Sequence, residues 1–508
     1  MPTIFLILSL VFALLPGARA VAQCARQWLP QVGINGEIRA TIIWDPDGSG
    51  PLTSRVVAGG AFGTTGPTVT QDIATLNPAT GAWGTLGSVT GPVYALAVMP
   101  NNDLIAGGRF FGGVSFGGLG RWDGSSWSSI GGGVTLGSSP GTITALAVMP
   151  NGDLVVGGTF SAAGGVPASR IARWNGISWS AMNVGFNGQV LALAVLGNGD
   201  LVAGGNFSLA NSSSLFSGTT VNHIARWTGS VWVPIGGGMN IGVNALATMP
   251  NGDLVAGGSF STAGGAVANK VARWNGSSWL PLGSGLSSTV FDLDVLPNGD
   301  LIAGGIFQSA GGTTVNFLAR WDGGTWSGFG SGTSNAVLAV AHLPNGGIVA
   351  AGGFLQAGGL PSPAIALNVT TCPASCVATG AGCASSGGAN TYVGLTLPWA
   401  GSAYRTLGTG LPSVAFVAVV SGFSATSIPL AAVLPPSPGG CVLLASPDVV
   451  ELTISNAGTV ESQIALPNTL SLAGVVLHQQ LVALEVDSSL SFVQNTSTNA
   501  LIATIGVL

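Results

Sequence analysis

Charge is what this chain has least of. Its 508 residues include only 13 Lys or Arg and 18 Asp or Glu, 6% of the chain, where an average soluble protein carries about a quarter. Lys270 is the single lysine, and the net charge is −5. So few cations exclude a phosphate-tracking surface for nucleic acid and a polybasic patch for anionic lipid. The three histidines, His223, His342 and His478, have no metal-binding spacing. Between residues 25 and 371 there is one tyrosine, Tyr94, and no cysteine, which excludes a copper centre built on a Tyr–Cys pair with His ligands. Beyond the N-terminus no segment reaches the roughly 20 apolar residues of a membrane helix. The nearest, 413–423, has the length of a strand.

Apolar residues and turn formers fill the space that charge leaves. The chain is 47% apolar, which a disordered chain would not be. Its 82 glycines follow no period of three, which excludes collagen. A folded, turn-rich, all-β protein follows. The N-terminus reads as a signal peptide over residues 1–20: Ile4 to Leu15 is an apolar core, Pro16-Gly17 follows, and Ala18-Arg19-Ala20 is an A-x-A cleavage site. Cleavage at Ala20 removes Arg19 and leaves 12 basic and 18 acidic residues, net −6. The product is expected to be secreted or at the cell surface, in a periplasmic or extracellular space.

A unit of about 50 residues recurs. A glycine doublet precedes Phe62, Phe110, Phe160, Phe207, Phe260, Phe307 and Phe354, and a Trp recurs in step at Trp28, Trp83, Trp127, Trp179, Trp232, Trp279 and Trp326. The fifth copy predicts four short strands. Val243 to Met249 alternates, Pro250-Asn251-Gly252-Asp253 turns, and Leu254 to Phe260 follows; after a loop, Val271 to Trp274 and a strand from Trp279 are joined by Asn275-Gly276. Four strands per copy describe a propeller blade. The Trp series starts one unit early. Gln27-Trp28-Leu29-Pro30 reads as a fourth strand without its first three, whereas the copy from Val337 to about Val369 lacks its fourth. Each supplies what the other lacks, so the expected architecture is a seven-bladed β-propeller over residues 24–371, closed by the N-terminal strand. A closed ring leaves no sheet edges.

Gly-Gly after the second strand and Asn77-Pro78-Ala79-Thr80-Gly81-Ala82-Trp83 across an outer turn resemble kelch-type blades, with Trp in place of the kelch third-strand Tyr in five copies. Ile171-Ala172-Arg173-Trp174-Asn175-Gly176, with Gly-Gly-x-Phe upstream, resembles secreted bacterial propeller families and the repeats of fungal cortical cell-polarity markers. The resemblance covers residues 24–371 and implies a propeller with no required catalysis. A Cys/Gly/Ser-rich joint, 372–391, leads to a small β-sandwich expected over 392–508, with strands at 414–420, 442–444, 452–455 and 481–486. Its Gly440-Cys441, Ser446-Pro447-Asp448 and Thr498-Asn499-Ala500 are similar to the domain that follows such secreted propellers.

Five Asp residues end the first turn of a unit, and five Arg residues precede the third-strand Trp of the same units: Asp103 with Arg121, Asp153 with Arg173, Asp200 with Arg226, Asp253 with Arg273, and Asp300 with Arg320. They are expected to pair within each blade, at a cost of roughly 3–5 kcal/mol for losing one member if burial is deep. A repeated cation-binding rim is the alternative. The recurring Trp residues are read as packing between blades rather than as sugar platforms.

Two places break the repeat. Asp292 and Asp294 stand where other copies have Ala, as at Ala245 and Ala247, and a spacing of two puts both on one strand face. They form either a binding site or a solvated channel wall. The loop containing Ser208, Asn211 and Asn222 is the second: Phe207 to Trp227 spans 20 positions against 14 from Phe260 to Trp274, six more. Asp45-Pro46-Asp47-Gly48-Ser49-Gly50 resembles the opening of a calcium loop, but Val56 stands where the closing Glu would be, so Asp45 and Asp47 are at most a weak metal site. No other cofactor is expected.

Among five cysteines, Cys24–Cys372 is the expected bridge locking the ring, with Cys376 as the substitute partner, and Cys383–Cys441 the second. The first would close a loop of more than 300 residues, an effect on the order of 5 kcal/mol. The whole reads as an exported, non-enzymatic scaffold that binds extracellular protein or polysaccharide through its loops. The alternatives are a carbohydrate-active enzyme using Asp292 and Asp294, and a calcium-dependent adhesin using Asp45 and Asp47.

Overall fold

Short alternating apolar runs punctuated by Asn-Gly and Gly-Gly turns favour antiparallel strands, and strands are almost all that forms. The computed structural model describes residues 25–48, 53–64, 70–87, 89–109, 117–211, 217–371, 375–379, 384–385, 388–394, 403–412, 415–433, 442–466, 475–486 and 492–504. Phe110, Cys24, Cys372, Cys383 and Cys441 lie outside the described residues, as does the side chain of Cys376. The one helix among the described residues is a single turn, Leu430–Val433.

The chain divides into two compact units, one of them residues 26–369. In it, four-stranded sheets of the propeller type recur in one order, first to fourth. Sheet five consists of Val243–Thr248, Leu254–Gly258, Val271–Trp274 and Trp279–Pro281. Sheets one to six start at Ile34–Trp44, Val93–Val98, Thr142–Val148, Val190–Val195, Val243–Thr248 and Val290–Val295. A seventh sheet starts at Val337–His342 and continues through Ile348–Gly352 and Ile365–Thr371; the strand hydrogen-bonded to this last one is Ala25–Pro30. First strands of consecutive sheets pack side by side, and the first strand of sheet seven packs against that of sheet one.

A bulge interrupts every first strand, as between Val243 and Ala245 in sheet five and between Ile38 and Ala40 in the longer first strand of sheet one. It sends Val243 and Leu246 toward the preceding sheet, where they lie against Gly204. Ala245 and Ala247 turn to the following sheet and join its core with Val290 and Leu293. The glycine doublet fits this geometry. A Cβ on Gly257 would stand 2.6 Å from Val290 Cγ1, and one on Gly258 2.3 Å from the Gly242 carbonyl. The first glycine lets the next sheet approach and the second lets its own first strand close. In sheet seven the first position is Ala351, buried in a cluster with Ile38 of sheet one, and the doublet has moved one place to Gly352-Gly353.

Phe160, Phe207, Phe260, Phe307 and Phe354 are all but fully buried; each contributes about 1.5–3 kcal/mol relative to exposure. The stretch Ser261 to Asn269, read from sequence as a loop, contains a small hairpin, Thr262–Ala263 with Ala266–Val267. Gly264 and Gly265 supply the positive φ values, 58° and 82°, that its turn requires.

The second unit, from residue 370, has its own core. Ser375–Thr379, within the stretch read as a joint, pairs with Ala500–Thr504. That sheet continues through Val476–Val486 and Phe416–Gly422 to an edge at Val449–Ile454. A three-stranded sheet, Thr391–Gly394, Ala403–Thr409 and Val460–Ala465, shares a buried cluster with it: Tyr392 and Val460 from one meet Val417, Leu481 and Leu501 from the other.

Candidate functional site

The bulge decides where Asp292 and Asp294 go. They take the alanine positions, opposite Gly304 and Ile302, and so turn toward sheet seven. Asp292 accepts the N–H of Leu293 at 2.9 Å and that of Val340, across the sheet boundary, at 2.8 Å. Asp294 accepts the N–H of Val295 at 2.9 Å and meets Nδ1 of His342 at 2.8 Å. Both carboxylates therefore bridge sheets six and seven.

Their surroundings differ. Asp292 keeps partial solvent exposure but is enclosed on most sides by the two strands. Desolvation pushes its carboxyl up to about 7, against the pull of the Val340 and Leu293 N–H groups, with the Asp294 charge adding to the rise. His342 is raised above its ordinary value, first by its hydrogen bond to Asp294, against desolvation. Asp294 and His342 line an open cavity of about 500 Å³ whose other walls include Thr41, Ile42 and Pro344. The Thr41 hydroxyl is buried without a partner. Among the described residues no three His, Cys, Asp or Glu side chains converge on a common metal position.

Each of the five Asp–Arg couples is an ion pair across neighbouring strands, closest in Asp153–Arg173 and longest, at 3.5 Å, in Asp253–Arg273. An Asn two residues before each Asp donates its amide to the same carboxylate oxygen, as Asn151 does to Asp153 at 2.8 Å. The Arg side chains are 36–45% exposed. The deep burial behind a 3–5 kcal/mol cost is therefore not met, and a value up to about 1 kcal/mol applies.

The longer loop of sheet four is pinned at its ends. Asn211 holds Trp232, accepting its N–H at 3.1 Å and donating to its carbonyl at 2.9 Å. Asn222 donates to the Gly237 carbonyl at 3.0 Å, and Ser208 is bonded to Asn187. These amides are engaged by the fold, and residues 212–216 lie outside the described ones. Asp45 accepts the Asp47 N–H at 3.4 Å, closing a turn on itself.

The indoles of the Trp series carry a pattern that spacing alone does not reveal. Each donates to a backbone carbonyl three or four residues beyond the preceding Trp of the series. Trp127 reaches Leu86, Trp179 reaches Gly131, Trp232 reaches Met182, Trp279 reaches Ile235, and Trp326 reaches Leu282. Trp28 reaches Phe329, and Trp83 reaches Val32 just beyond Trp28. His342 was also missed. Its signal was a titratable residue at a strand end where Val98, Val148, Val195, Thr248 and Val295 stand in other units, directly after the unit carrying the two aspartates.

Residues 133–228 match the Rax2 C-terminal beta propeller domain. No curated protein matches the chain. Among solved structures, the WD40 beta propeller domain of Doa1 is similar at 12% identity, over 68% of this chain and 97% of that one, with a TM-score of 0.42. The extracellular domain of BT4673 from B. thetaiotaomicron is similar at 10% identity, over 93% of this chain and 74% of that one, with a TM-score of 0.24.

Proposed function

We propose that the protein is an exported, non-enzymatic recognition scaffold. Residues 24–371 form a seven-bladed propeller closed by the N-terminal strand, a β-sandwich follows, and the propeller face binds extracellular protein or polysaccharide. The closure rests on the indole series: seven donors, each tied to the preceding sheet, with Trp83 to Val32 and Trp28 to Phe329 bridging the chain ends. A disc held this way keeps its shape while its loops and clefts vary.

One observation carries the non-enzymatic reading. Asp292 and Asp294, the carboxylates at the alanine positions of a first strand, are engaged in joining sheets six and seven. A residue pair devoted to a sheet boundary is a structural device, and the exposed, convergent acid–base set of a hydrolase is a different arrangement. The rival, a carbohydrate-active enzyme, draws on the open cavity beside Asp294 and on an Asp292 carboxyl near 7, suited to a general acid.

Incubation of the mature protein with a glycan panel, read by release of reducing ends and by retention on a glycan array, separates the two. Retention without release supports the scaffold. Release that disappears in Asp292→Asn/Asp294→Asn, at unchanged melting temperature, overturns it.

A further inference from the structure

Two Trp residues lie close together in each of sheets two to six, and their chemistry differs. In sheet three, Trp174 of the third strand sits 5.3 Å from Trp179 of the fourth, inclined at 52°. Trp179 is buried and its N–H is taken by the Gly131 carbonyl at 3.1 Å. Trp174 is half-buried, and its indole N–H donates to no protein group among the described residues. The same holds for Trp227 and Trp274 of the next two sheets.

These three indoles line three consecutive clefts, between sheets two and three, three and four, and four and five, of about 450, 270 and 510 Å³. The facing wall comes from the preceding sheet. It brings one Asn and one Arg: Asn101 and Arg121, Asn151 and Arg173, Asn198 and Arg226. The Arg charge is cancelled by its Asp, while the planar guanidinium retains N–H groups beyond the one or two directed at the carboxylate. The floor of the first two clefts is apolar, Met99 and Met149.

An indole, a guanidinium neutralised by its Asp and an amide lining one cleft suit a ring that is apolar on its faces and rich in hydroxyls at its edge. We propose that these inter-sheet clefts bind successive pyranose units of a neutral polysaccharide. This rests on the recognition-scaffold reading and names its ligand class. Neutrality follows from the balanced pairs and from the net charge of −5, which disfavours a polyanion. Repetition at one-sheet intervals lets a polymer engage more than one cleft, so weak single sites add to a useful avidity.

The test is affinity electrophoresis of the mature protein in gels containing laminarin, galactomannan or dextran, with polygalacturonate as the charged comparison. At least one neutral polymer retards the wild type. Trp174→Ala/Trp227→Ala/Trp274→Ala weakens the retardation at least about tenfold, a loss of 1.4 kcal/mol or more. Trp removal also affects packing, so a second variant fills the clefts from their turns. Gly152, Gly199 and Gly252 have positive φ and no atom within 3.8 Å of a new Cβ, and Asn tolerates that backbone. Gly152→Asn/Gly199→Asn/Gly252→Asn loses binding while melting close to wild type. Failure of all three neutral polymers, retardation by polygalacturonate alone, or retardation unchanged in the Asn variant overturns the proposal. Binding that survives the Asn variant leaves the scaffold standing and moves its site elsewhere; binding lost only in Asp292→Asn/Asp294→Asn moves it to the first strands.

Discussion

Sheets two to six and the pair formed by sheets seven and one are built from the same unit, yet they keep different parts of it. Each of the five carries the Asp–Arg pair and a third-strand Trp. Sheet one has Thr75 and Leu76 at the Arg and Trp positions, and sheet seven has Leu367 and Asn368 there. The fourth-strand indole bond persists in all seven. Where the chain ends meet, other contacts appear: Gln31 N–H to the Ser362 hydroxyl at 2.9 Å, and Arg26 to the Gly346 carbonyl at 3.3 Å. The sheet therefore forms without the ion pair or the third-strand Trp. The bond between neighbouring sheets is the part the architecture does not give up.

That contrast is broken most directly at Trp28. It is 7% exposed, and its N–H reaches the Phe329 carbonyl at 3.0 Å. Trp28→Ala is expected to cost about 3–5 kcal/mol, as large cavity-forming substitutions do. Trp83, at the same place in sheet one, is half-buried and bonds at an exposed position; Trp83→Ala is expected to cost about 1 kcal/mol. Urea unfolding of both variants at constant m checks the pair. Equal costs would mean that burial of the indole does not set the worth of its bond to the neighbouring sheet.

The boundary between sheets six and seven adds an acid-favoured component to that junction. The Asp292 carboxyl titrates near 7 in the fold and at 3.8 when unperturbed. Between those values the folded chain keeps a proton the unfolded chain has lost, so stability falls as pH rises through that window. His342, raised above 6.5, contributes stability below that value that is lost as pH climbs through its folded pKa. Both act in the same direction. The wild type should melt lower at pH 8 than at pH 5, and Asp292→Asn should remove about 2 kcal/mol of that difference, discounted for its residual exposure. Calorimetric melting across pH 5–8 decides it, and a flat wild-type profile would contradict the assignment.

Sequence carried the periodic part of this molecule well, because a repeat reports the same environment many times. The four-strand unit, the glycine doublets and the alanine positions taken by Asp292 and Asp294 could all be placed by comparing copies. Partners across a sheet boundary could not. Nothing in the spacing says that Asp292 reaches the Val340 N–H, or that Trp179 is consumed by a carbonyl while Trp174 is not, because both depend on how one sheet leans on the next. The hairpin within 261–269 was missed since its strands are only two residues long. Beyond residue 370 there is no repeat to compare. A strand such as Ser375–Thr379 therefore read as linker, although Ala500–Thr504, far along the chain, supplies its partner.

The finest distinction lies among the five ion pairs themselves. Asp153 is 9% exposed at its side chain beneath Arg173, whereas Asp200 is 31% exposed and 3.3 Å from Arg226. Attraction grows as water is displaced, so the pair in sheet three should be the stronger although the sequence pattern is identical. Double-mutant cycles are expected to give a coupling near 1 kcal/mol for Asp153/Arg173 and about 0.3 kcal/mol for Asp200/Arg226, both decreasing in high salt. Equal couplings would mean that the Asn amide, present in both turns, sets the carboxylate's environment more than burial does. Couplings near zero in both would reduce the pair to a surface ornament, consistent with its loss from sheets one and seven.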